Sequence, residues 1–104
     1  MIVREPTKRG DKVKVTFVLP EDEWPGEVFV AGDFNSWNPG ENLLKPRGDV
    51  RSCSLVLTSG RRYAFRYYRN GHWFDDDKAD DFEPNEYGER NSIIDLTGEL
   101  IDPA

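Results

Sequence analysis

The dipeptide formed by Asn70 and Gly71 lies between two runs of aromatic residues and constrains the chain more than any other feature. Asn-Gly favours a two-residue β-hairpin turn, because both turn residues must adopt positive φ angles. A turn at this dipeptide also fixes the register of the two strands that it connects, so that Tyr68 faces Trp73. The sequence therefore predicts a hairpin over residues 65–74 whose two faces can be assigned in advance.

The two faces of this hairpin carry different side chains, because successive residues of a strand point to opposite sides of the sheet. The inner face, which we predict to join the core, carries Phe65, Tyr67 and Phe74. The outer face carries Arg66, Tyr68 and Trp73. Aromatic side chains on the outer face need a partner other than the core.

Short segments in which apolar and polar residues alternate recur along the rest of the chain. They predict strands over residues 13–19, 28–31, 43–44, 50–58 and 91–96. Six or seven short strands without a helical period are typical of an all-β fold, an antiparallel β-sandwich.

The segments between these strands are predicted to be turns and loops. They comprise a loose lead-in over residues 1–10, a turn at 24–26, a polar loop at 33–40, a long acidic loop at 75–90, and a tail from Gly98. We expect residues 1–104 to form a single domain whose core covers about residues 11–97.

The charge balance narrows the class of partner. The 104 residues carry a formal net charge of −6, which argues against nucleic acids and against anionic membrane surfaces. A neutral ligand is the class that this charge least opposes. Cys53 is the only cysteine, which excludes a disulfide within the chain and a cysteine zinc site. Because the sequence shows neither a signal peptide nor an apolar run of about 18 residues, we expect a cytoplasmic protein.

Trp37 and Trp73 are the aromatic residues whose positions most suggest a ligand. Trp37 lies in the polar loop, where it could equally fold back and cap one end of the sandwich. Trp73 lies on the outer face of the hairpin, which a loop or a second subunit could equally cover. An exposed aromatic face beside hydrogen-bonding groups suits a ligand that is apolar on its faces and polar at its edges, and sugars fit this description.

The carboxylates of the predicted acidic loop allow several interpretations. The run consists of Asp75, Asp76, Asp77, Asp80 and Asp81. A calcium loop of the EF-hand type fits poorly, because Ala79 takes the fifth position and Asp80 stands where the glycine belongs. We favour a solvated acidic loop. A glycosidase with paired carboxylates is conceivable, but a single small domain offers no obvious cleft for it.

Two further residues belong to types that can perform chemistry. His72 lies beside the hairpin turn and is expected to be exposed to solvent. Cys53 shares a strand face with Leu55 and Leu57 and is expected to join the core. Neither has a catalytic partner in the sequence, so we exclude nucleophilic catalysis and expect no cofactor and no metal.

Residues 28–37 (VFVAGDFNSW) resemble the strand-and-turn signature of the family 48 carbohydrate-binding modules, also called isoamylase N-terminal or early-set domains. This family includes the glycogen-binding domain of the AMP-activated kinase beta subunit. The aromatic strand, residues 70–73 (NGHW) and residues 87–92 (YGERNS) follow in the order found in that family. The resemblance implies an immunoglobulin-like, early-set sandwich that binds α-1,4-glucans such as glycogen or starch and is not an enzyme.

The resemblance also implies which side chains contact the glucan. The two tryptophans that stack on glucose rings in the glycogen-binding branch correspond to Trp37 and Trp73. A family lysine that hydrogen-bonds sugar hydroxyls corresponds to Arg66, whose planar guanidinium replaces a rotatable ammonium. A polar asparagine of the family corresponds to Asn91.

Three more residues complete the implied site. Tyr87 stands where the kinase-type domains have a leucine that inserts into the sugar helix, and it still offers an apolar surface. Glu89 replaces a threonine that contacts sugar, and it still accepts hydrogen bonds from hydroxyls. Tyr68 is expected to add an edge contact beside Trp73.

Two functions remain open at this point. The first is non-catalytic binding of an α-glucan. The alternative is a protein-interaction module that docks to or regulates a separate α-glucan-active enzyme. Two features favour it, the missing catalytic domain and a long acidic loop that is unsuited to stacking on sugars. In the family's enzymes a separate barrel domain carries catalysis, and the chain ends at Ala104, so we expect a module that stands alone.

Overall fold

The computed structural model describes residues 1–20 and 26–98, which fold into two antiparallel β-sheets. The strands in this part of the chain are β1 (Ile2–Pro6), β2 (Lys12–Pro20), β3 (Phe29–Gly32), β4 (Asn42–Leu43), β5 (Lys45–Arg47), β6 (Val50–Thr58), β7 (Arg62–Arg69), β8 (His72–Phe74), β9 (Asp81–Pro84) and β10 (Arg90–Asp95). The two sheets pack as a sandwich, which confirms the predicted fold class.

The first sheet has four strands in the order β1-β2-β6-β5. The second has six strands, with β4-β3-β7-β10-β9 in sequence and β8 paired with β7. Strand β7 therefore lies near the middle of the six-stranded sheet, between β3 and β10. This position gives its side chains a core on one side and an outer sheet surface on the other.

The core lies between the sheets and follows from the alternation that the sequence displays. In β2 the buried side chains are Val13, Val15, Phe17 and Leu19. The ring of Phe17 packs against that of Phe65 from the opposite sheet, with 5.1 Å between centroids. Burying each such side chain contributes about 1.5–3 kcal/mol to stability.

The hairpin has the register that Asn70 and Gly71 predict. Both turn residues have positive φ, 50° and 82° respectively, and Tyr68 pairs with Trp73. On the inner face Phe65 and Tyr67 are fully buried, as predicted. The assignment of the two faces is therefore confirmed.

The predicted loose lead-in over residues 1–10 is wrong, because β1 is a strand at the edge of the four-stranded sheet. It pairs with β2 so that Ile2 lies opposite Phe17 and Val3 opposite Thr16. Ile2 is half-buried and packs against the core. The sequence of β1, IVREP, does not alternate apolar and polar residues, so it carries no local strand signal, and its pairing with β2 supplies the stabilisation.

The long acidic loop predicted over residues 75–90 also contains a strand, β9, which pairs with β10. Aspartate is rare in β-strands, so the aspartates of the predicted acidic loop favour a loop over a strand. Cations from more distant strands support the pairing, since Arg62 of β7 binds Asp81 at 2.8 Å and Arg4 of β1 binds Asp80, just before β9. The guanidinium of Arg90 also lies over the ring of Phe82, 3.8 Å from its centroid.

The boundaries of the other predicted strands and turns differ little from those in the structure. The predicted strand at residues 43–44 begins one residue earlier, in β4, and Leu44 itself is buried. The short strand β5 was not predicted, because it contains Pro46 and a proline within a segment argues against a strand. Residues 24 and 25 of the predicted turn, and residues 99–104 of the predicted tail, lie outside the described residues. The part of the chain that the structure describes has no helix able to cross a membrane.

Candidate functional site

A groove of about 870 Å³ lies on the surface of the six-stranded sheet and is called the aromatic groove below. Its aromatic residues are Trp37, Trp73 and Tyr87. Its acidic residues are Asp33, Glu83, Glu86 and Glu89. The other residues that line it are Ala64, Arg66, Asn85 and Asn91.

Trp37 reaches the groove from a tight turn that follows β3. The backbone of Ser36 and Trp37 is left-handed, with φ angles of 57° and 59°. Such angles cost energy in residues other than glycine, and the surrounding contacts must hold them in place. The side chain of Asn35 supplies these contacts, since it accepts from the amide of Gly32 at 3.0 Å and donates to the carbonyl of Val30 at 3.0 Å.

The turn also holds the indole itself. The indole Nε1 of Trp37 donates to Asp33 Oδ1 at 3.0 Å, and the other oxygen of Asp33 accepts from the amide of Ala64 at 2.8 Å. The turn sits so close to β7 that a Cβ at Gly32 would lie 2.4 Å from the carbonyl oxygen of Ala64. Glycine is therefore required at this position, and the turn is fixed against β7.

Trp73 lies beside Trp37 although 35 residues lie between them in the sequence. The centroids of the two indoles are 6.4 Å apart and their planes meet at 54°. Tyr68 packs edge-on against Trp73, with 4.9 Å between centroids. Trp73 keeps 37% of its surface exposed, and Trp37 is half-buried outside the core. Trp37 therefore packs beside Trp73 and does not cap the core of the sandwich.

Arg66 is buried at the base of this pair, with 8% of its surface exposed. Its Nη1 donates to Glu89, its Nη2 donates to the carbonyl of Trp73 at 3.4 Å, and its Nε lies 3.2 Å from Asp75. The second oxygen of Asp75 binds Arg90 at 2.8 Å. The guanidinium therefore joins β7, β8 and the turn before β10, and its first role is to hold these three segments together.

The opposite wall of the groove is the turn between β9 and β10, which Asn85 organises. Its side-chain oxygen accepts from the amides of Tyr87 at 3.0 Å and Glu89 at 3.1 Å. Its amide nitrogen donates to Asn91 at 3.2 Å. This arrangement leaves Tyr87 with 81% of its surface exposed, so that its ring is available to a ligand.

Six residues that the sequence analysis predicted for the site line the aromatic groove together: Trp37, Arg66, Trp73, Tyr87, Glu89 and Asn91. Tyr68 does not line it and instead supports Trp73 from the side. The groove is also lined by five residues that the sequence did not predict for the site, Asp33, Ala64, Glu83, Asn85 and Glu86. Asn85 carried a usable signal, because an asparagine that precedes a glycine by three residues is typical of a side-chain-bonded turn.

The acidic run is exposed at Asp77, Asp80 and Asp81, as the predicted solvated loop requires, but it also forms bonds within the domain that the sequence did not predict. Asp76 is buried and accepts from the hydroxyl of Tyr67 at 2.6 Å. Burial, followed by the charge of Asp76, raises the pKa of Tyr67 well above its ordinary value. The guanidinium of Arg62 lowers the pKa of Asp81 below its ordinary value. Among the described residues no cluster of His, Cys, Asp and Glu could hold a metal ion.

His72 and Cys53 lie away from the groove. His72 is exposed beside the hairpin turn, and Cys53 is half-buried against the core, so both placements confirm the prediction. Burial raises the pKa of the Cys53 thiol, which makes it a poorer nucleophile.

A scan of the sequence against protein-family models found no match, and a search of curated proteins found none either. The structure itself shows an antiparallel β-sandwich with an aromatic groove on its six-stranded sheet.

Proposed function

We propose that this domain binds an uncharged α-1,4-linked glucan along the aromatic groove and catalyses no reaction. The observation that carries the proposal is the pair of neighbouring indoles, Trp37 and Trp73, which line one open groove. Exposed aromatic rings of this kind bind the C–H faces of sugar rings, while polar groups beside them meet the hydroxyls. The resemblance of residues 28–37 to family 48 carbohydrate-binding modules supports the same ligand class.

The angle between the indoles favours an α-linked over a β-linked glucan. A β-1,4-linked chain is flat and matches coplanar aromatic rings, whereas an α-1,4-linked chain curves and turns successive glucose rings relative to one another. The planes of Trp37 and Trp73 meet at 54°, which suits the curved chain. Tyr87 offers a third ring on the opposite wall of the groove.

Hydrogen bonds at the sugar edges would come from the polar residues of the groove. Asn91 offers an amide, and Glu89 offers carboxylate oxygens beyond its bond to Arg66. Because such contacts are few and open to water, we expect dissociation constants between about 1 mM and 1 μM for short oligosaccharides, or roughly −4 to −8 kcal/mol.

Native gel electrophoresis with and without glycogen in the gel tests the proposal. We expect glycogen to retard the unmodified protein, and Trp37→Ala and Trp73→Ala to lose most of this retardation. Val56→Ala is the control, because Val56 is 60% exposed on β6 of the other sheet. A cellulose derivative in the gel should retard none of them. Equal mobility of the unmodified protein with and without glycogen would refute glucan binding.

Docking to a separate α-glucan-active enzyme stays the alternative function. The structure weakens one of the two features that favour it, because Asp75, Asp76, Asp80 and Asp81 of the acidic loop are bonded within the domain. Docking would return as the leading function if glycogen failed to retard the protein and a stoichiometric partner co-purified with it. Release of sugar from glycogen on long incubation would contradict the non-catalytic part of the proposal.

A further inference from the structure

The aromatic groove is strongly acidic for a site that would bind an uncharged ligand. Four acidic residues line it, namely Asp33, Glu83, Glu86 and Glu89, against the single cation Arg66. The formal charge of the lining is therefore −3. Residues 21–25 and 99–104 contain no lysine or arginine, so no cation from those segments can offset it.

The acidic residues of the groove fall into two groups. Asp33 is used by the Trp37 turn, and Glu89 is bonded to Arg66. Glu83 and Glu86 are exposed, and neither forms an ion pair among the described residues, although the charge of Glu83 also acts on Arg62 of β7. They are not needed to build the site, yet they contribute half of its negative charge.

Arg66 cannot offset these charges for an incoming ligand. It is already close to two carboxylates, those of Glu89 and Asp75, and it is nearly buried. A phosphate or carboxylate on a ligand would therefore meet Glu83 and Glu86 without gaining an unpaired guanidinium. The opposite holds for a ligand that carries an amine, because like charges repel and unlike charges attract across an open groove.

We propose that the aromatic groove selects glucans by charge, with Glu83 and Glu86 as the selectivity residues. Uncharged and amine-bearing α-glucans bind, and glucans that carry phosphate, sulfate or carboxylate groups are rejected. This selectivity rests on the proposed glucan binding, since the indoles hold the sugar rings while the glutamates act on the substituents. Because both glutamates are exposed, the effect falls as salt screens it, over a Debye length of about 10 Å at 0.1 M.

Calorimetric titration with three probes tests this proposal. The probes are maltoheptaose, maltoheptaose with one phosphate monoester, and maltoheptaose with one amine in place of a hydroxyl. At about 20 mM salt we expect the phosphorylated probe to bind at least about tenfold more weakly than the neutral one, and the aminated probe more tightly. At about 0.5 M salt the three affinities should converge to within about twofold.

Two pairs of substitutions separate a local from a global charge effect. The variant Glu83→Gln/Glu86→Gln should bring the ratio of neutral to phosphorylated affinity to about threefold or less at low salt. The control Glu5→Gln/Asp49→Asn changes the net charge equally, but Glu5 lies in β1 and Asp49 follows β5, both outside the groove. It should leave the ratio unchanged.

The outcomes distinguish the two proposals. If none of the three probes binds, glucan binding itself is refuted and the selectivity falls with it. If maltoheptaose binds and the phosphorylated probe binds equally well at low salt, charge selectivity is refuted while glucan binding stands. A ratio that Glu83→Gln/Glu86→Gln leaves unchanged, or that the control pair also removes, refutes the role of these two glutamates. Loss of all binding by that double variant would also refute it, because the glutamates would then be general binding groups.

Discussion

The two faces of the β7–β8 hairpin differ in the burial and the contacts of their side chains, although the residues of the two faces alternate along the same strands. On the inner face Phe65 and Tyr67 have no exposed surface and pack against Phe17 of the other sheet. On the outer face Arg66 is held by carboxylates and Trp73 is 37% exposed. Alternate residues of this hairpin therefore join the core on one side and line the aromatic groove on the other.

The separation has a physical cause in what lies above each face. A second sheet covers the inner face, so its side chains lose water and gain close contacts. Two turns, one after β3 and one before β10, border the groove on the outer face in the part of the chain that the structure describes. The groove between them keeps aromatic surface in contact with water, and that surface is what a ligand would cover.

The largest expected effect is on the inner face. Phe65→Ala should lower the free energy of unfolding by about 3–5 kcal/mol, because it removes a fully buried ring and leaves a cavity. The matched outer-face variant Trp73→Ala should lower it by about 1 kcal/mol or less. Urea unfolding of both variants measures the difference. Equal losses would contradict the division between the faces.

The hydroxyl of Tyr67 is the next test of the inner face. Tyr67→Phe removes a buried hydrogen bond and leaves the carboxylate of Asp76 without that donor, so we expect a loss of about 1–3 kcal/mol at neutral pH. The raised pKa of Tyr67 means that the folded state prefers the protonated phenol. Its stabilisation is therefore complete below the ordinary tyrosine pKa of about 10 and is lost as the pH rises through the raised value.

Unfolding curves collected from about pH 7 to pH 11 measure this dependence. The unmodified protein should lose stability across the alkaline part of the range, and Tyr67→Phe should lose less, since it has no phenol at this position. Parallel alkaline losses in both proteins would show that Tyr67 does not contribute the dependence.

Arg66 tests whether the outer face also has a structural part. Arg66→Lys should lower stability by about 1–2 kcal/mol, because one ammonium cannot reach Asp75, Glu89 and the carbonyl of Trp73 as the guanidinium does. Arg47→Lys on the exposed strand β5 is the control and should have almost no effect. A stability equal to that of the unmodified protein would mean that Arg66 holds no segment together.

The smallest expected effect lies in the exposed ion pair of β9. Hydrogen bonding to Arg62 lowers the pKa of Asp81 below its ordinary value of 3.8. The pair therefore stabilises the fold fully above that value, and the contribution is lost as the pH falls through the lowered one. Asp81→Asn should flatten the acid part of a plot of melting temperature against pH, whereas Asp49→Asn should not. If Asp81→Asn and the unmodified protein lose melting temperature equally at acid pH, the ion pair of β9 does not contribute to acid stability.

The sequence predicts those parts of the molecule whose signal is local. The turn at Asn70 and Gly71 fixes the hairpin register because two adjacent residues determine it, and the alternation in residues 13–19 identifies β2 in the same way. β1 and β9 escape prediction because their stabilisation comes from partners distant in the sequence, such as Arg62 for Asp81.

The candidate site also has a part that the local sequence predicts and a part that it does not. The outer face of the hairpin follows from residue parity alone, which places Arg66 and Trp73 on one side. The proximity of Trp37 depends on a left-handed turn held by Asn35, and no local pattern predicts such a turn. The resemblance to a sugar-binding family supplied that pairing. The acidic lining of the groove was missed, because Asp33 and Glu86 come together only in the folded chain.

Amide and indole resonances of isotopically labelled protein, followed by NMR during titration with maltoheptaose, test glucan binding in the aromatic groove most directly. We predict saturable shifts at Trp37, Trp73, Tyr87 and Asn91, with Lys14 and Val56 on the opposite sheet unchanged. The absence of shifts, or shifts confined to the opposite sheet, would contradict the account.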